Sequence, residues 1–469
     1  MWPLNCAFVL LIFMICGCAA KEYKIFCQYD LGSYYYKNAS KFYSWNVDLR
    51  LCTHLVYGTG VGVNGETGVL KITDKYLLLE NDMLNVAHRL KRENVKKVMF
   101  TIGGWLEESS DFSRMAADSR KRDRFFTSLI EFMYEWRFDG VQIDWRYPTQ
   151  RGGKPEDRRN FILLLEELKI VCQEHQFVLM VAVLGRTDRR TLEYYDIPKL
   201  VKHVHYINLM HHDNRDPYEM RLGYNAPLSG ENSVVDSVKL WKKLGKAPAK
   251  LILNIPLFVR SYIMDNHQNT VGSPCKGPGL KTPLTREPGF MTYGEWCGFA
   301  SSWTQKFDEQ AQVPYAYKGD HWISYENARS IWAKMHLLKS HSLGGAMAWT
   351  IDSDDFYGKC GETHSLGRVI LAALGDITIL APEPSTTESM GLCPKNGFFR
   401  QMWDCQLYYE CLNGERIDYE CLPGYYFDEA RIECMPKEQV KCDQNFVTWR
   451  PGMPLYNFEN MPVNLKIVE

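Results

Sequence analysis

The stretch FDGVQIDWRYP, residues 138–148, raises the first question about chemistry. An apolar and β-branched strand pattern runs through Asp144 into Trp145, Arg146, Tyr147 and the helix-breaking Pro148. A carboxylic acid at the end of such a strand can act as a general acid, with a rate contribution of about 10² to 10⁴-fold. Arg146 has a guanidinium of pKa above about 12, which cannot deliver a proton near neutral pH. Enzymes of one large class keep a carboxylic acid at such a place, so the stretch raises the question whether Arg146 marks unusual chemistry or none.

Arg146 also has a structural interpretation. An arginine beside Asp144 would form a bidentate ion pair, which removes the cost of a lone charge in a partly enclosed place. We expect this pair, and we expect it to leave Asp144 unable to orient a ligand.

His211 and His212 are the second polar group that follows a strand pattern. We interpret them as partly exposed polar residues, because no carboxylate-rich spacing of metal ligands accompanies them. The sequence therefore predicts neither a metal site nor a cofactor.

The elements around these residues alternate short strand patterns with amphipathic stretches of helical length, which is typical of repeated βα units. Two predicted helices span 121–136 and 157–175, the second with Phe161, Leu164, Leu165 and Leu168 on one face. Eight strands are predicted, near residues 23–29, 52–58, 96–102, 140–144, 178–184, 204–210, 250–255 and 345–350.

Eight strands over about 350 residues favour an α/β fold of the (β/α)8 TIM barrel type, which we place at residues 21–375. Residues 257–325 are rich in Gly, Pro and aromatics and are predicted to form a small α+β insertion between strands 7 and 8. Because barrel chemistry lies at the C-terminal ends of strands, Asp144, Arg146, Met210 to Asp213 and Trp349 should surround one mouth.

The composition argues against a charged partner. Fifty-five basic residues balance fifty-six acidic ones, so the charge gives no indication of nucleic acid or an anionic membrane. Residues 1–20 hold a short apolar run that ends in small residues, as in a signal peptide, although a signal anchor remains an alternative because no Lys or Arg precedes the run. We predict a secreted protein, with an N-glycosylation sequon at Asn38.

The cysteines indicate a second, smaller unit. Three of the fifteen cysteines lie in the predicted signal peptide, and six crowd into residues 393–442. A segment of this length buries little core, so disulfides would have to stabilise a small β module. Residues 376–392, rich in Pro, Ser, Thr and Glu, are predicted to be a linker. The tail, residues 443–469, has no interpretable pattern.

Several motifs in this order resemble the glycoside hydrolase family 18 chitinases and chitinase-like proteins. They are KVMFTIGGW (97–105), FDGVQIDWRYP (138–148), YDIPKL (195–200), INLMHHD (207–213), YNAPL (224–228), VPYAY (313–317) and GGAMAWTID (344–352). YYEC (408–411) and CLPGYYFD (421–428) resemble a peritrophin-A type chitin-binding module, the usual companion of arthropod chitinases. Similar secreted proteins of mites include allergens.

The resemblance implies a degenerate catalytic motif. Active members carry D-G-x-D-x-D-W-E, in which the Glu protonates the glycosidic oxygen and the substrate's acetamide attacks the anomeric carbon. Asp139 and Asp144 match this motif, but Gln142 replaces an acid and Arg146 replaces the proton donor. His212 stands where the family has a Tyr that supports the acetamide, although an imidazole could donate a similar hydrogen bond.

The resemblance also implies sugar contacts. Two aromatic walls of the family's cleft are absent, because Gly32 replaces one and Tyr57, Gly58 and Thr59 replace the family's Tyr-Ala-Phe. Trp145 has an alternative role in the core, and we expect Tyr426 and Phe427 to be more structural than Tyr408 and Tyr425. The predicted substrate-binding residues are Trp105, Trp145, Tyr147, Met210, Asp213, Trp349, Tyr408, Tyr409 and Tyr425.

Five disulfides are implied by the same resemblance. They join Cys27 to Cys52, Cys297 to Cys360, Cys393 to Cys411, Cys405 to Cys442 and Cys421 to Cys434, and they leave Cys172 and Cys275 without an inherited partner.

We therefore expect a secreted lectin that binds chitin or chito-oligosaccharides, mainly through residues 393–442, and that does not hydrolyse them. Two alternatives stay open: a weak or altered glycosidase that uses another acid, and a secreted protein whose barrel binds another protein.

Overall fold

Eight parallel strands close a barrel in the computed structural model, which describes residues 22–37, 40–85, 97–214, 217–375, 397–400, 406–412, 415–422, 424–428 and 431–440. Each strand pairs with the next along the chain, and the eighth pairs with the first, so the predicted (β/α)8 barrel is confirmed. The strands are β1 (Lys24–Asp30), β2 (His54–Gly58), β3 (Lys97–Gly103), β4 (Gly140–Asp144), β5 (Val178–Leu184), β6 (Tyr206–Met210), β7 (Leu251–Pro256) and β8 (Gly345–Trp349).

Amphipathic helices cover the barrel. The helix Asp157–Glu174 buries Phe161, Leu164, Leu165 and Leu168, as its periodicity predicts. The other α-helices are Ser109–Ala116, Ser119–Glu135, Arg189–Tyr194, Ile197–Leu200, Val234–Gly245, Tyr293–Cys297, Ala328–Ser340 and Ser365–Leu374. Among the described residues, every helix is too short or too polar to cross a membrane.

The predicted insertion between β7 and β8 is an antiparallel sheet with the short helix Tyr293–Cys297. Its strands follow the spatial order Cys275–Pro278, Phe258–Met264, His321–Ser324, Val313–Lys318 and Thr304–Asp308, and Phe290–Thr292 also pairs with Phe258–Met264. A hairpin of Val61–Val63 and Leu70–Ile72 follows β2. The insertion extends one side of the barrel mouth.

The barrel interior changes from apolar to polar toward the mouth. Its lower part is a cluster of Phe26, Val56, Met99, Met180, Ile252 and Met347. Inward-facing residues alternate along a strand, so positions two residues further on form the next layer. That layer holds Gln28, Thr101, Gln142, Asn208 and Asn254, all buried.

Trp145 lies in the core, which corrects its prediction as a substrate contact. Its side chain is 1% exposed and stacks on Phe112 at 5.3 Å between ring centroids, with Phe161 at 5.5 Å. The residue follows β4 but is directed between the barrel and its helices. Trp105, in contrast, is 59% exposed.

The structure joins Cys27 to Cys52, Cys297 to Cys360 and Cys421 to Cys434, as the resemblance implies. Cys172 and Cys275 are buried and unbonded. The pairings of Cys393 with Cys411 and of Cys405 with Cys442 lie outside the described residues. So do the signal peptide, Asn38, the linker and the tail.

The C-terminal module consists of two antiparallel sheets. One has the strands Gly397–Arg400, Leu407–Leu412 and Glu415–Glu420, and the other is a hairpin of Tyr425–Asp428 and Glu433–Pro436. The disulfide of Cys421 with Cys434 fastens the residue that follows the first sheet to the hairpin. Such a link compensates for the small core of a short segment.

The contrast between Trp145 and Trp105 gives a stability prediction. Trp145→Ala should lower the free energy of unfolding of the barrel by about 3–5 kcal/mol, because it leaves a cavity among packed rings. Trp105→Ala, the matched control, should change it by about 0.5 kcal/mol or less. Urea unfolding of both variants measures the difference. Equal costs would show that Trp145 does not pack in the core.

Candidate functional site

The C-terminal ends of the strands bring the predicted polar residues together at one mouth. Asp144 ends β4 and Arg146 follows it, His212 and Asp213 follow β6, and Trp349 ends β8. The peptide bonds Arg146–Tyr147 and Trp349–Thr350 are cis. Residues from three distant parts of the chain thus form one site.

Arg146 and Asp144 form the predicted bidentate ion pair. Nε of Arg146 donates to both carboxylate oxygens of Asp144, at 2.9 and 3.1 Å, and Nη2 donates to Oδ2 at 2.8 Å. The side chains are only 11% and 2% exposed. Burial disfavours the charged form of Arg146, but the attraction and hydrogen bonds of Asp144 outweigh it and raise the Arg146 pKa. The guanidinium is therefore permanently protonated.

Arg146 also lies over the ring of Trp349 at the barrel mouth. The guanidinium carbon of Arg146 lies 5.5 Å from the centroid of Trp349, within cation–π distance. His212 also stacks on Trp349, with 5.1 Å between centroids and 17° between planes. Any ligand ring that stacks on Trp349 must share it with these two side chains.

His211 and His212 are both buried, which corrects their prediction as partly exposed polar residues. His212 is a neutral ring at physiological pH. Burial lowers its pKa to about 4; the carboxylate of Asp213 opposes this shift, and Arg146 adds to it. Its Nδ1 lies 3.1 Å from Oδ1 of Asn254 in the polar layer. Burial lowers the pKa of the neighbouring His211 to about 3, with a smaller contribution from Lys334. Neither histidine is charged near pH 7.

Gln142 belongs to a network of amides below the mouth. Its Nε2 donates to Oε1 of Gln28 at 3.2 Å and to Thr101 at 3.1 Å. Its Oε1 accepts from Asn208, whose own Oδ1 accepts from Asn254, each at 3.1 Å. The layer contains no ionised group. Sequence reasoning missed its other members, although polar residues at alternating strand positions were the available signal.

Asp213 has a partner that sequence reasoning also missed. Arg260, on the first strand of the insertion, donates from Nε to Oδ1 of Asp213 at 2.6 Å. Burial alone would raise the pKa of Asp213, but Arg260 and His212 lower it to about 2. Arg260 of the insertion thus balances the negative charge of Asp213, which stays ionised near pH 7.

Asp30 and Asp352 form a buried carboxyl pair on the other side. The backbone N–H of Asp30 donates to Oδ1 of Asp352 at 2.8 Å, and Thr59 donates to Asp30 at 3.1 Å. Burial raises the pKa of both groups; the charge of Asp30 adds to the rise for Asp352, whereas the hydrogen bonds from Gly32 and Thr59 and the charge of Arg146 oppose the rise for Asp30. Gly32 also donates its N–H to Asp30, at 2.9 Å. Gly32 and Thr59, which stand where the family has aromatic residues, therefore both donate hydrogen bonds to the carboxylate of Asp30.

The remaining predicted residues have mixed placements. Asp139 lies at the opposite, N-terminal end of β4, where it accepts from the N–H of Val98 at 2.9 Å, so the structure does not bring it to the mouth. Met210 is buried at the end of β6. Tyr147 is half-buried and stacks on Tyr194 at 5.3 Å.

Trp105 is the exposed aromatic at the rim. The guanidinium of Arg151 lies 4.4 Å from its ring centroid and donates to its carbonyl oxygen at 2.8 Å. Arg151 also donates to the carbonyl of Arg146 at 3.0 Å. A single arginine thus fixes both Trp105 and the loop that carries Arg146.

In the module, Tyr408, which was predicted as a sugar contact, is half-buried and packs against two other rings. Its ring stacks on Phe427 at 4.0 Å and on Tyr419 at 5.2 Å. Phe427 is buried, as expected. Tyr425 is 41% exposed and Tyr419, which was missed, is 37% exposed. The side chain of Tyr409 lies outside the described residues.

Comparison with known proteins assigns the chain. The family model for glycosyl hydrolases family 18 matches residues 28–354. The chain belongs to this family. The model for the chitin binding peritrophin-A domain matches residues 393–442.

Proteins named as chitinases and one described as a pseudo-chitinase are similar to the chain. Chitotriosidase-1 of Mus musculus is 30% identical over 450 residues, which cover 88% of this chain and 94% of that protein. The crystal structure of Ostrinia furnacalis Group IV chitinase in complex with allosamidin superposes with a TM-score of 0.73, at 34% identity, and covers 75% of this chain and 99% of its own. Human YKL-39, described as a pseudo-chitinase with retained chitooligosaccharide binding properties, superposes with a TM-score of 0.69, at 30% identity, with coverage of 75% and 99%.

The buried histidines predict how the stability of this family 18 barrel depends on pH. Between about pH 6.5 and pH 4 the unfolded chain protonates His212 while the folded chain does not, so the free energy of unfolding should fall as the pH falls through this window. Asp213, Arg146, Arg260 and Asn254 surround the ring. The contribution of His212 is about 3 kcal/mol at most.

Urea unfolding of the chain and of His212→Gln between pH 7.5 and pH 4 measures this contribution. The variant should lose less stability on acidification than the native chain. His336→Gln, on an exposed helix position, is the matched control and should keep the native pH dependence. Identical slopes for the native chain and His212→Gln would contradict a buried, neutral His212.

Proposed function

We propose that this chain is a secreted chitinase-like lectin that binds chitin and does not hydrolyse it. The observation that carries the proposal is Arg146, which occupies the position of the family's proton donor and is bound to Asp144 through three hydrogen bonds. The apolar N-terminal segment, the disulfides and the peritrophin-A match support secretion.

Hydrolysis by the family mechanism needs a group that gives a proton to the leaving oxygen. A guanidinium whose pKa is raised by Asp144 does not do so. The same positive charge would oppose an oxocarbenium-like transition state. Asp144 is itself held by Arg146, so it is not available to orient the acetamide that acts as nucleophile. The proton donor and the positioning group are thus lost together.

Chitin binding is better supported by the module than by the barrel. Tyr419 and Tyr425 present exposed rings on a disulfide-linked scaffold, and aromatic faces are suited to pyranose rings. At the barrel mouth, Trp349 is half-buried and shared with Arg146 and His212. The barrel therefore contributes a secondary site, whose contacts differ from those of an active family member.

A weak glycosidase is the second candidate, and one group favours it. Partial desolvation raises the pKa of Glu287, an exposed residue of the insertion; the charge of Arg260 opposes this rise, and the charges of Asp213 and Asp30 add to it. A carboxyl group with a raised pKa at a barrel mouth is the kind of group that can serve as a general acid. Turnover lost in Glu287→Gln would identify this activity.

The catalytic proposal predicts no turnover of a chito-oligosaccharide with a fluorescent leaving group by the native chain. Arg146→Glu with Gln142→Asp should recover slow turnover, because it restores an acid but disturbs the amide layer and keeps His212. Adding His212→Tyr should raise this rate about tenfold, the value of one hydrogen bond made in the transition state.

Arg146→Gln is the matched control, since it removes the ion pair without adding an acid, and it should stay inactive. Native turnover that copurifies with the chain and survives in Arg146→Gln would contradict the role assigned to Arg146.

Retention on chitin beads tests the role of the module. Tyr425→Ala should weaken retention of the full chain about fivefold, as expected for the loss of one aromatic contact. Tyr218→Ala removes a tyrosine of the barrel that is 68% exposed, against 41% for Tyr425, and should leave retention unchanged. A chain that ends at Leu380 should be retained far more weakly than the full chain, because only the secondary site of the barrel remains. Undiminished retention of that shortened chain would assign binding to the barrel.

A further inference from the structure

His212 is the end of a chain of hydrogen bonds that crosses the barrel in one direction. Nδ2 of Asn254 donates to Asn208 at 3.1 Å, and Nδ2 of Asn208 donates to Gln142 at 3.1 Å. Nε2 of Gln142 then donates to Gln28 at 3.2 Å. Every member is an amide with one donating and one accepting end, so the orientation of one determines the orientation of all.

Met347 fixes that orientation. Its sulfur lies 2.9 Å from Nδ2 of Asn208. A thioether carries no proton and can only accept, so Asn208 must present its N–H₂ to this sulfur and to Gln142. Oδ1 of Asn208 consequently faces Asn254. Reversing the chain would place two acceptors, the Asn208 oxygen and the Met347 sulfur, against each other.

The fixed direction determines the tautomer of His212. Oδ1 of Asn254, which faces Nδ1 of His212 at 3.1 Å, can only accept, so Nδ1 carries the ring proton. Burial keeps the ring neutral, so Nε2 is left with a lone pair. The two nitrogens lie on opposite edges of the imidazole. Among the described residues no group bonds to Nε2 of His212, and Nε2 is not one of the fully buried unpaired atoms, so it is accessible beside Trp349.

We propose that His212 is a specificity-determining hydrogen-bond acceptor, and that the barrel mouth takes a β-linked N-acetylglucosamine oligosaccharide that brings an amide N–H or a hydroxyl to Nε2. A tyrosine hydroxyl at this position can donate to an acetamide carbonyl, whereas the Nδ1–H tautomer of histidine cannot. Among the described residues none accepts from Nη1 of Arg146, which leaves it as the donor of the same subsite. In this subsite position 212 accepts a hydrogen bond and position 146 donates one, whereas a Tyr at position 212 would donate and an ionised Glu at position 146 would accept. This inference rests on the proposed function, because it assumes that sugar binds here without being cleaved.

The test is nitrogen NMR of the full chain labelled with ¹⁵N-histidine, in which His212→Gln identifies the His212 signals. At pH 7 we expect a protonated Nδ1 and an unprotonated Nε2. Saturating tetra-N-acetylchitotetraose should shift the Nε2 resonance in the direction of an accepted hydrogen bond. A binding event confined to the module would leave this resonance unchanged.

Asn254→Asp changes Nε2 of His212 from an acceptor to a donor without changing the size of the side chain at position 254. A carboxylate at this position favours the doubly protonated ring, so Nε2 becomes a donor, and the affinity at the mouth should fall about fivefold, the effect of one hydrogen bond. An Nε2–H tautomer in the native chain, or an Nε2 signal that does not move at saturation, would overturn the inference. If Nε2 is unmoved but chitin is still retained, the proposed function stands alone; if neither binding is seen, both fail.

Discussion

The contact between the guanidinium of Arg146 and the carboxylate of Asp144 determines the state of the barrel mouth. Both side chains are almost completely buried, and the removal of one partner from such a pair typically costs about 3–5 kcal/mol because the other charge is left unpaired. Each residue therefore constrains the other. A single change to an acid at position 146 would place two carboxylates side by side above the neutral Gln142, so an acid at this position needs coupled changes.

The neutral layer below the mouth and the missing aromatic walls are parts of one adaptation. A Cβ on Gly58 would lie 2.1 Å from Nε2 of Gln28, so the glycine makes room for the amide that accepts from Gln142. Thr59, the next residue, donates to Asp30. Gly58 and Thr59, which stand where the family has an alanine and an aromatic residue, therefore serve polar contacts that are specific to this barrel.

The sequence predicted what is local or periodic. All eight strands, the helix Asp157–Glu174 and the ion pair of Arg146 with Asp144 follow from alternation, helical spacing and the chemistry of neighbouring charges. The amide layer was missed because its members come from five strands separated by up to about two hundred residues, and a lone Gln or Asn carries no spacing signal. Trp145 was misplaced for the opposite reason: an aromatic ring suits packing and sugar stacking equally, and only its burial and its contact with Phe112 decide between them.

The fold accepts an amide at position 142 and a guanidinium at position 146 because folding makes a weaker demand on these positions than catalysis by general acid does. Folding requires that the interior be filled and that every buried polar group find a partner. Gln142 satisfies Asn208, Gln28 and Thr101 as neutral hydrogen-bond partners, with no charge to desolvate. Catalysis requires in addition an acidic group whose pKa lies near the ambient pH. Neither an amide nor a paired guanidinium supplies one, so the two demands separate at these positions.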